Sequence, residues 1–373
     1  MQLIKPESKV HYMSSLKIPS NDQLIIVEEI KMNLLAKSCF APGLIALLSN
    51  LTSSNGTIDG DFDKDWLKDY AQGLDYEIYR VNLHPNFEGM AFKEIVKIIY
   101  KEFKTIVFAL GIETQGKSIV VLNPIKYHCV DFQNHKYYIF MICENQSNAY
   151  EAETLETMSR DSKKRYFGNV DFKKKKDDQP YSVESRRDSE DVLGSFIDFD
   201  AIDDKDYDIT DKDLSQDYFM LNKAQSQMDV TVTSTLKDDK KVKNHIVVCG
   251  IHCSIKHFIL PLRANYLQHY QYIVIVSQGS IPLSIWDEIK KFPMILLVNG
   301  SPLEQESLLR ANIMNADKAV ILGHDPTLKT NLQEEMLDAQ SIFIYKAIKK
   351  INPGIQIITE LVYNSNIDFL LPK

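Results

Sequence analysis

The sequence lacks several features that would assign it to common functional classes. No uninterrupted apolar run among its 373 residues approaches the roughly 18 to 20 residues needed to cross a bilayer. The opening stretch MQLIKPESKVHYMSS also lacks the hydrophobic core of a secretory signal. We therefore expect this polypeptide, taken alone, to be soluble and intracellular. The formal net charge is -8, whereas a duplex-binding domain carries a basic face, so nucleic acid is not an expected partner.

Cysteine is scarce, and catalytic motifs are missing. Five cysteines are an odd number, and most of them sit inside apolar runs, which favours buried, reduced thiols over a disulfide framework. There is no Gly-x-Ser-x-Gly elbow, Walker loop or His-Glu-x-x-His motif, so we do not expect an enzyme. His245, Cys249, His252 and Cys253 cluster along the chain. Because alternate strand residues face opposite sides, these four should not converge on zinc.

Composition divides the chain into four zones: 1–58, 59–144, 145–244 and 245–373. The first zone predicts two helices joined at Pro42 and Gly43. A helix is expected from Pro19, with an N-cap at one of the three polar residues Ser20, Asn21 and Asp22. The second helix, LIALLSNL (44–51), is apolar almost all round, and a helix of that kind is buried on several faces.

The two middle zones differ sharply in character. Zone 59–144 predicts a small α/β unit with a helix over 92–103 and a hairpin turn at 114–118; strands are expected over 76–83, 105–113, 119–124 and 136–144. Zone 145–244 is dense in charge and poor in periodic apolar pattern. We interpret it as a long, mostly disordered linker.

The last zone carries the clearest pattern of the chain. Continuous apolar, β-branched runs such as HIVVCGI and YIVIVS alternate with amphipathic helical stretches. Strands that are apolar on both faces, with helices between them, specify a parallel sheet covered on both sides. The predicted fold class is therefore α/β, with a C-terminal doubly wound, Rossmann-like domain after the crossover helices and the small α/β subdomain.

The Rossmann pattern raises the question of a dinucleotide enzyme. Such a site needs glycines after the first strand, but His252 and Ser254 replace the glycines expected after Gly250. It also needs an acid after the second strand, where the sequence offers Ser277 and Gln278. Both requirements fail, so an NAD-linked enzyme or nucleotide sensor is kept only as the alternative function.

Three further candidate sites lie in polar stretches. Asp59, Asp61 and Asp63 alternate as Ca²⁺ ligands might, but Lys64 and Tyr70 stand where an EF-hand loop needs glycine and glutamate. The stretch 204–215 deviates from the EF-hand pattern in the same way. We therefore interpret both stretches as solvated acidic loops and not as Ca²⁺ sites. Ser189, in the sequence RRDSE, is a candidate phosphorylation site.

The order of the zones resembles the cytosolic region of one channel family. The first zone is similar to the helix-turn-helix crossover that ends the first RCK domain (regulator of K⁺ conductance) of Slo-type potassium channels, chiefly through Ser38-Cys39 and Ala41-Pro42-Gly43. The second zone fits through Glu77-Ile78-Tyr79 and Leu122-Asn123-Pro124. HIVVCG, FILPLRA (258–264), GSPLEQESLLRANI (300–313) and ITELVYNSNIDFL (358–370) look like the second RCK domain.

The resemblance implies a function and a set of partners. The chain would be a gating-ring segment on the cytoplasmic side of a membrane, in a homotetrameric channel whose pore domain lies outside this sequence. Ca²⁺ or Na⁺ would be the gating ligand of the full channel, with no cofactor in the chain; both branches of the family stay open. The crossover would clasp a neighbouring RCK lobe through the apolar residues Leu34, Leu35, Phe40, Pro42, Leu44, Leu47, Leu48 and Leu51. A non-conducting scaffold is a third interpretation.

Overall fold

The computed structural model describes residues 2–3, 25–53, 64–114, 117–168, 219–236, 242–323 and 338–371. The chain divides into two compact units. Residues 1–45 together with 207–373 form one of them, which we call the parallel-sheet unit. Residues 46–206 form the other, which we call the small unit.

The crossover consists of two short strands and two helices. Strand β1 (Gln2–Leu3) pairs in parallel with β2 (Ile25–Ile26), α1 spans Val27–Phe40, and α2 spans Leu44–Thr52. The predicted start of the first helix was wrong. The helix begins at Val27, with Ile26 in an extended conformation at its N-cap, because Ile25 and Ile26 form a strand. The polar residues proposed as N-caps lie outside the described residues.

The small unit contains a four-stranded antiparallel sheet in the order β3-β6-β4-β5. Its elements are α3 (Asp65–Gly73), β3 (Glu77–Asn82), a 3₁₀ turn (Pro85–Phe87), α4 (Phe92–Phe103), β4 (Ile106–Thr114), β5 (Lys117–Leu122), β6 (Lys136–Cys143), α5 (Gln146–Thr154) and α6 (Arg160–Phe167). Helix α4 buries Phe92, Ile95 and Ile99, which recur at helical spacing. The predicted strands, helix and hairpin of this zone are confirmed within a few residues.

The predicted linker over 145–244 is too long at both ends. Asn145 caps α5 by accepting a hydrogen bond from the Asn148 N–H at 3.0 Å, and Ser159 caps α6 in the same way. Behind these caps, Leu155 and Met158 are buried in the core of the small unit. At the other end, Trp286 Nε1 donates to the Gln225 carbonyl at 3.1 Å. High charge density hid these helices because few of their residues face the core. The middle of the linker lies outside the described residues.

The parallel-sheet unit contains five strands in the order β11-β10-β7-β8-β9, all parallel. Its remaining elements are α7 (Gln227–Val230), β7 (Ile246–Cys249), α8 (Ile255–Ile259), β8 (Ile273–Ser277), α9 (Leu283–Ile289), β9 (Ile295–Asn299), α10 (Gln305–Arg310), β10 (Lys318–Ile321), α11 (Ala339–Ile351) and β11 (Gln356–Thr359), with 3₁₀ turns at Leu260–Arg263, Ile313–Asn315 and Asn364–Phe369. The order reverses between β7 and β10, as in a doubly wound sheet.

Helices cover both faces of this parallel sheet. One core joins the sheet to α1, α8 and α9, and the other joins it to α10 and α11. Every residue of β7 is buried, as expected for a central parallel strand. The predicted α/β fold class with a Rossmann-like sheet is confirmed. In the part of the chain that the structure describes, no helix is both long and apolar enough to cross a bilayer.

Candidate functional site

The turn after β7 lies at the carboxyl edge of the sheet, next to the point where the strand order reverses. Gly250 has a φ of 97°, which favours glycine, and its N–H donates to the Val276 carbonyl at 3.0 Å. After Gly250, the turn is filled by side chains. His252 is 0% exposed, and its Nδ1 accepts from the Ser254 N–H at 3.1 Å. A dinucleotide site needs bare backbone at this turn, and a buried imidazole occupies it here.

Helix α1 packs beside the same edge. Its buried apolar residues Met32, Leu35, Ala36 and Cys39 join the core formed with α8 and the Leu260–Arg263 turn. These positions follow each other at helical spacing, so they form one stripe along the helix. The stripe extends to Glu28, one turn before Met32, which is also buried. The apolar stripe therefore places a carboxylate at the carboxyl edge of the sheet.

Four charged or titratable side chains meet there, and we call them the carboxyl-edge network: Glu28, Lys31, His252 and Glu360. His252 Nε2 lies 3.2 Å from Glu28 Oε2, and Lys31 Nζ lies 3.0 Å from Glu360 Oε1. Lys31 also pairs with Glu28, one turn away on α1. Nδ1 of His252 accepts a backbone hydrogen bond, so Nε2, which faces the Glu28 carboxylate, carries the proton whenever the ring holds only one.

The network joins three parts of the sheet edge to α1. Glu28 reaches the turn after β7, and Lys31 reaches Glu360, directly after β11. Glu360 Oε2 in turn accepts from the Gly323 N–H at 3.3 Å, after β10. Burial by itself would lower the pKa of Lys31. The hydrogen bonds and negative charges of Glu28 and Glu360 outweigh burial and raise that pKa above its ordinary value. Lys31 is therefore fully charged at neutral pH.

The residues predicted to form the clasp fall into two groups. Leu35 belongs to the core of the parallel-sheet unit. The other seven keep at least part of their surface exposed within this single chain, and no residue of α2 is buried. Leu47 is 56% exposed. Their contact with a neighbouring lobe stays a prediction.

The histidines and cysteines of β7 and its turn do not converge. His245 lies before the strand, where its Nε2 donates to the Ala311 carbonyl at 2.9 Å, and His252 lies beyond the other end. Burial raises the pKa of the Cys249 thiol to about 12, so this thiol is unreactive. Across the described ranges, no group of three His, Cys, Asp or Glu side chains is placed to hold a metal ion. None of the five cysteines, all of which lie within the described ranges, forms a disulfide bond.

Asp59, Asp61, Asp63, the stretch 204–215 and Ser189 lie outside the described residues, so their predicted roles stay predictions. Two buried charged residues of the parallel-sheet unit were missed. Arg263 is 1% exposed and donates to the carbonyls of Leu262, Gln271, Pro293 and Met294 at 2.8 to 3.2 Å.

Asp338 was missed as well, although it orders the segment after the network. Its carboxylate accepts from the backbone N–H groups of Val362 and Tyr363 at 2.7 and 2.9 Å, and from Asn366 Nδ2 at 2.7 Å. Burial would raise the pKa of Asp338, but these hydrogen bonds hold it below its ordinary value. The only signal for Asp338 and Arg263 in the sequence is a charge beside apolar residues, which is too common to identify either.

Comparison with known proteins gives consistent matches. Residues 241–359 match the family model described as the calcium-activated potassium channel slowpoke-like RCK domain, and residues 22–110 match that of the calcium-activated BK potassium channel alpha subunit. Potassium channel subfamily U member 1 from Homo sapiens is 23% identical over 92% of this chain, and its counterpart from Macaca fascicularis is 24% identical over 92%. The chain spans 32% of the length of each.

A solved structure matches the fold along nearly the whole chain. The human SLO3 gating ring superimposes with a TM-score of 0.68 at 21% identity, covering 99% of this chain and 56% of that one. The likeness shows that the two share a fold.

Proposed function

We propose that this chain, an RCK region of the Slo potassium-channel family, works as a cytosolic gating-ring segment. The channel that it would regulate is a ligand-gated potassium channel. The chain spans about a third of the length of the curated relatives it matches, and we propose that the pore of the channel lies outside it. We further propose that the partners are other subunits of a homotetramer and an adjacent RCK lobe, and that Ca²⁺ or Na⁺ is the gating ligand of the full channel.

The observation that carries the proposal is the docking of α1 at the carboxyl edge of the sheet. Open α/β sheets bind ligands at this edge, but here Glu28 and Lys31 of the chain's own helix contact His252 and Glu360. The sheet thereby acts as a seat for a helix. Helix α1 then continues through Pro42 and Gly43 into α2, which is apolar and exposed. A helix that is fixed against the sheet and continues into an exposed apolar segment suits mechanical coupling between lobes.

Gating in such a ring is a shift between populations. A ligand opens the channel only if it binds the ring's open arrangement more tightly than its closed arrangement. A tenfold difference in affinity shifts the equilibrium by about 1.4 kcal/mol per site. The part of the seat made of ion pairs, which is worth a few kcal/mol at most, can respond to shifts of that size.

The experiment asks whether α2 is an assembly surface. We expect Leu47→Asp to lower the mass of the purified chain's oligomer in light scattering, because a carboxylate cannot be buried in an apolar contact. The matched control is Leu283→Asp, since Leu283 is another exposed leucine, 74% exposed, at the start of α9. If both variants have the same mass as the parent chain across the concentrations at which the parent associates, the clasp is wrong.

The alternative of an NAD-linked enzyme has no support in the residues at the turn, since His252 and Glu28 occupy the space that a pyrophosphate would need. Calorimetric titration with NAD(H) measures this directly. Micromolar binding that is lost in a Gly250→Val variant would favour the alternative.

A further inference from the structure

The sheet of the small unit has one face that the described residues of its own unit leave uncovered. Helices α4 and α5 pack on the other face. The uncovered face, which we call the outer sheet face, carries the apolar side chains of Ile78, Ile106, Phe108, Val120, Leu122 and Phe140. Ile106 is 51% exposed and Leu122 is 73% exposed. A solvated face of an antiparallel sheet normally alternates to polar residues, so this one is built to be covered.

The centre of the outer sheet face is rigid. The ring of Tyr138 lies over Gly111 of the neighbouring strand, where a Cβ atom would come within 2.5 Å of the ring. The guanidinium carbon of Arg80 lies 3.8 Å from the centroid of the same ring. Tyr138 Oη and Ser118 Oγ are 2.5 Å apart. The ring of Phe140 stands next to those of Tyr138 and Phe108. A fixed aromatic layer of this kind is a preformed docking surface.

The sequence supplies an occupant of matching chemistry. In an extended conformation, the centre of the stretch FIDFDAI (196–202) would place Ile197 and Phe199 on one side and Asp198 and Asp200 on the other. The acidic residues Asp191 and Asp203 flank it. The outer sheet face also carries two exposed cationic side chains, Arg80 and Lys136. Arg80 is paired with Phe140 on the neighbouring strand, and Lys136 is paired with Glu113.

The connection is long enough for this segment to reach the face. The small unit is described as far as Gly168, and 27 residues separate Gly168 from Phe196. Fully extended, such a connection spans up to about 90 Å, several times the width of a four-stranded sheet, which is about 15 to 20 Å. A segment of the same chain also has an effective concentration that a separate molecule at micromolar concentration does not match.

We propose that residues 196–202 lie across the outer sheet face of the same chain, with Ile197 and Phe199 against Val120, Leu122 and Phe140. Asp198 and Asp200 then remain in water, and the flanking acids lie near Arg80 and Lys136. The inference concerns the small unit alone and is independent of the proposed channel function.

Disulfide trapping tests the proposal directly. The double variant Val120→Cys/Phe199→Cys places one thiol on an exposed position of the face and one on the segment, and a disulfide forms only when the two Cα atoms come within about 7 Å. The matched control is Lys97→Cys/Phe199→Cys, because Lys97 is exposed on α4, which packs on the opposite face. Both variants leave the buried core unchanged. The readout is peptide mapping and non-reducing electrophoresis after mild oxidation of the full chain.

We expect the Val120/Phe199 pair to form an intrachain disulfide whose yield is independent of chain concentration over a tenfold range. The control pair should form at least tenfold less. A disulfide between two chains, with a yield that rises with concentration, would mean that a second copy covers the face and would overturn the proposal. Equal yields in the two variants, or no disulfide in either, would overturn it as well.

Discussion

Lys31 is the centre of the carboxyl-edge network, and replacing it by methionine tests how α1 is held. Methionine keeps the length of the side chain but leaves the carboxylates of Glu28 and Glu360 without their common counter-ion. Breaking a fully buried ion pair costs about 3 to 5 kcal/mol, whereas an exposed pair contributes about 0 to 1 kcal/mol. The side chains of Lys31 and Glu360 are 20% and 18% exposed. This intermediate burial places the expected loss near 2 kcal/mol.

Amide hydrogen exchange is the appropriate assay, because it reports the free energy of opening for one helix of a chain that has two units. A loss of about 2 kcal/mol corresponds to roughly 30-fold faster exchange. The expected site is the first half of α1. The control is Lys37→Met on the same helix, since the ammonium of Lys37 donates to the hydroxyl of the exposed Tyr266 and lies over the same ring, without a carboxylate partner among the described ion pairs. Loss of the contact between Lys37 and Tyr266 should change the rate of amide exchange in α1 by less than about threefold.

A second variant separates the network from the methionine itself. Adding Glu360→Gln to Lys31→Met removes one of the two uncompensated carboxylates, so the double variant should exchange more slowly than Lys31→Met alone. Equal exchange in α1 for the parent chain, Lys31→Met and Lys37→Met would refute the reasoning, because the network would then contribute nothing to the position of the helix.

Two further predictions concern buried charges in the parallel-sheet unit. Arg263→Met should lower the free energy of unfolding of this unit by about 3 to 5 kcal/mol in urea titration, because four carbonyls lose their donor; a loss below about 1 kcal/mol would contradict this. Burial lowers the pKa of His245 below 6.5, so the folded state binds fewer protons than the unfolded state and stability should fall as pH decreases below 6.5. His245→Gln should weaken that pH dependence in thermal melts; an unchanged profile would exclude His245 as its source.

The strands of the parallel sheet were predictable because each appears in the sequence as a short, continuous apolar run. The central strands β7 and β8 are almost fully buried and consist mostly of β-branched residues. The turn after β7 could be rejected as a nucleotide loop because His252 and Ser254 replace the expected glycines. The start of α1 was not predictable, since Ser20, Asn21 and Asp22 offer stronger capping chemistry than Ile26. Pairing with β1, a contact made across the chain, decides the conformation of Ile25 and Ile26 instead.

The carboxyl-edge network was hidden for a related reason. Glu28 stands beside Glu29 and three residues before Lys31, a pattern that indicates only the polar side of a helix, and Glu360 follows a strand in the run ITELV. Only the fold brings them together, across more than 300 residues of sequence, through a lysine that lies one turn from Glu28. Local periodicity predicts which face of a helix is buried, but it does not reveal which distant side chain contacts that face.

The position of the network along α1 bears on how the helix can move. Glu28 and Lys31 lie in its first turns, whereas Leu35, Ala36 and Cys39 anchor its second half in the core. Removing the ionic contacts leaves that apolar anchor in place, and extracting even one buried leucine costs about 2 to 3 kcal/mol more. The first half of α1 should therefore loosen while the second half stays in place, so exchange in the Lys31→Met variant should accelerate at residues 30–33, the first amides bonded within the helix, and remain unchanged at 36–40. Uniform acceleration along the helix would show that α1 is released as one rigid body and that the apolar anchor depends on the ionic contacts.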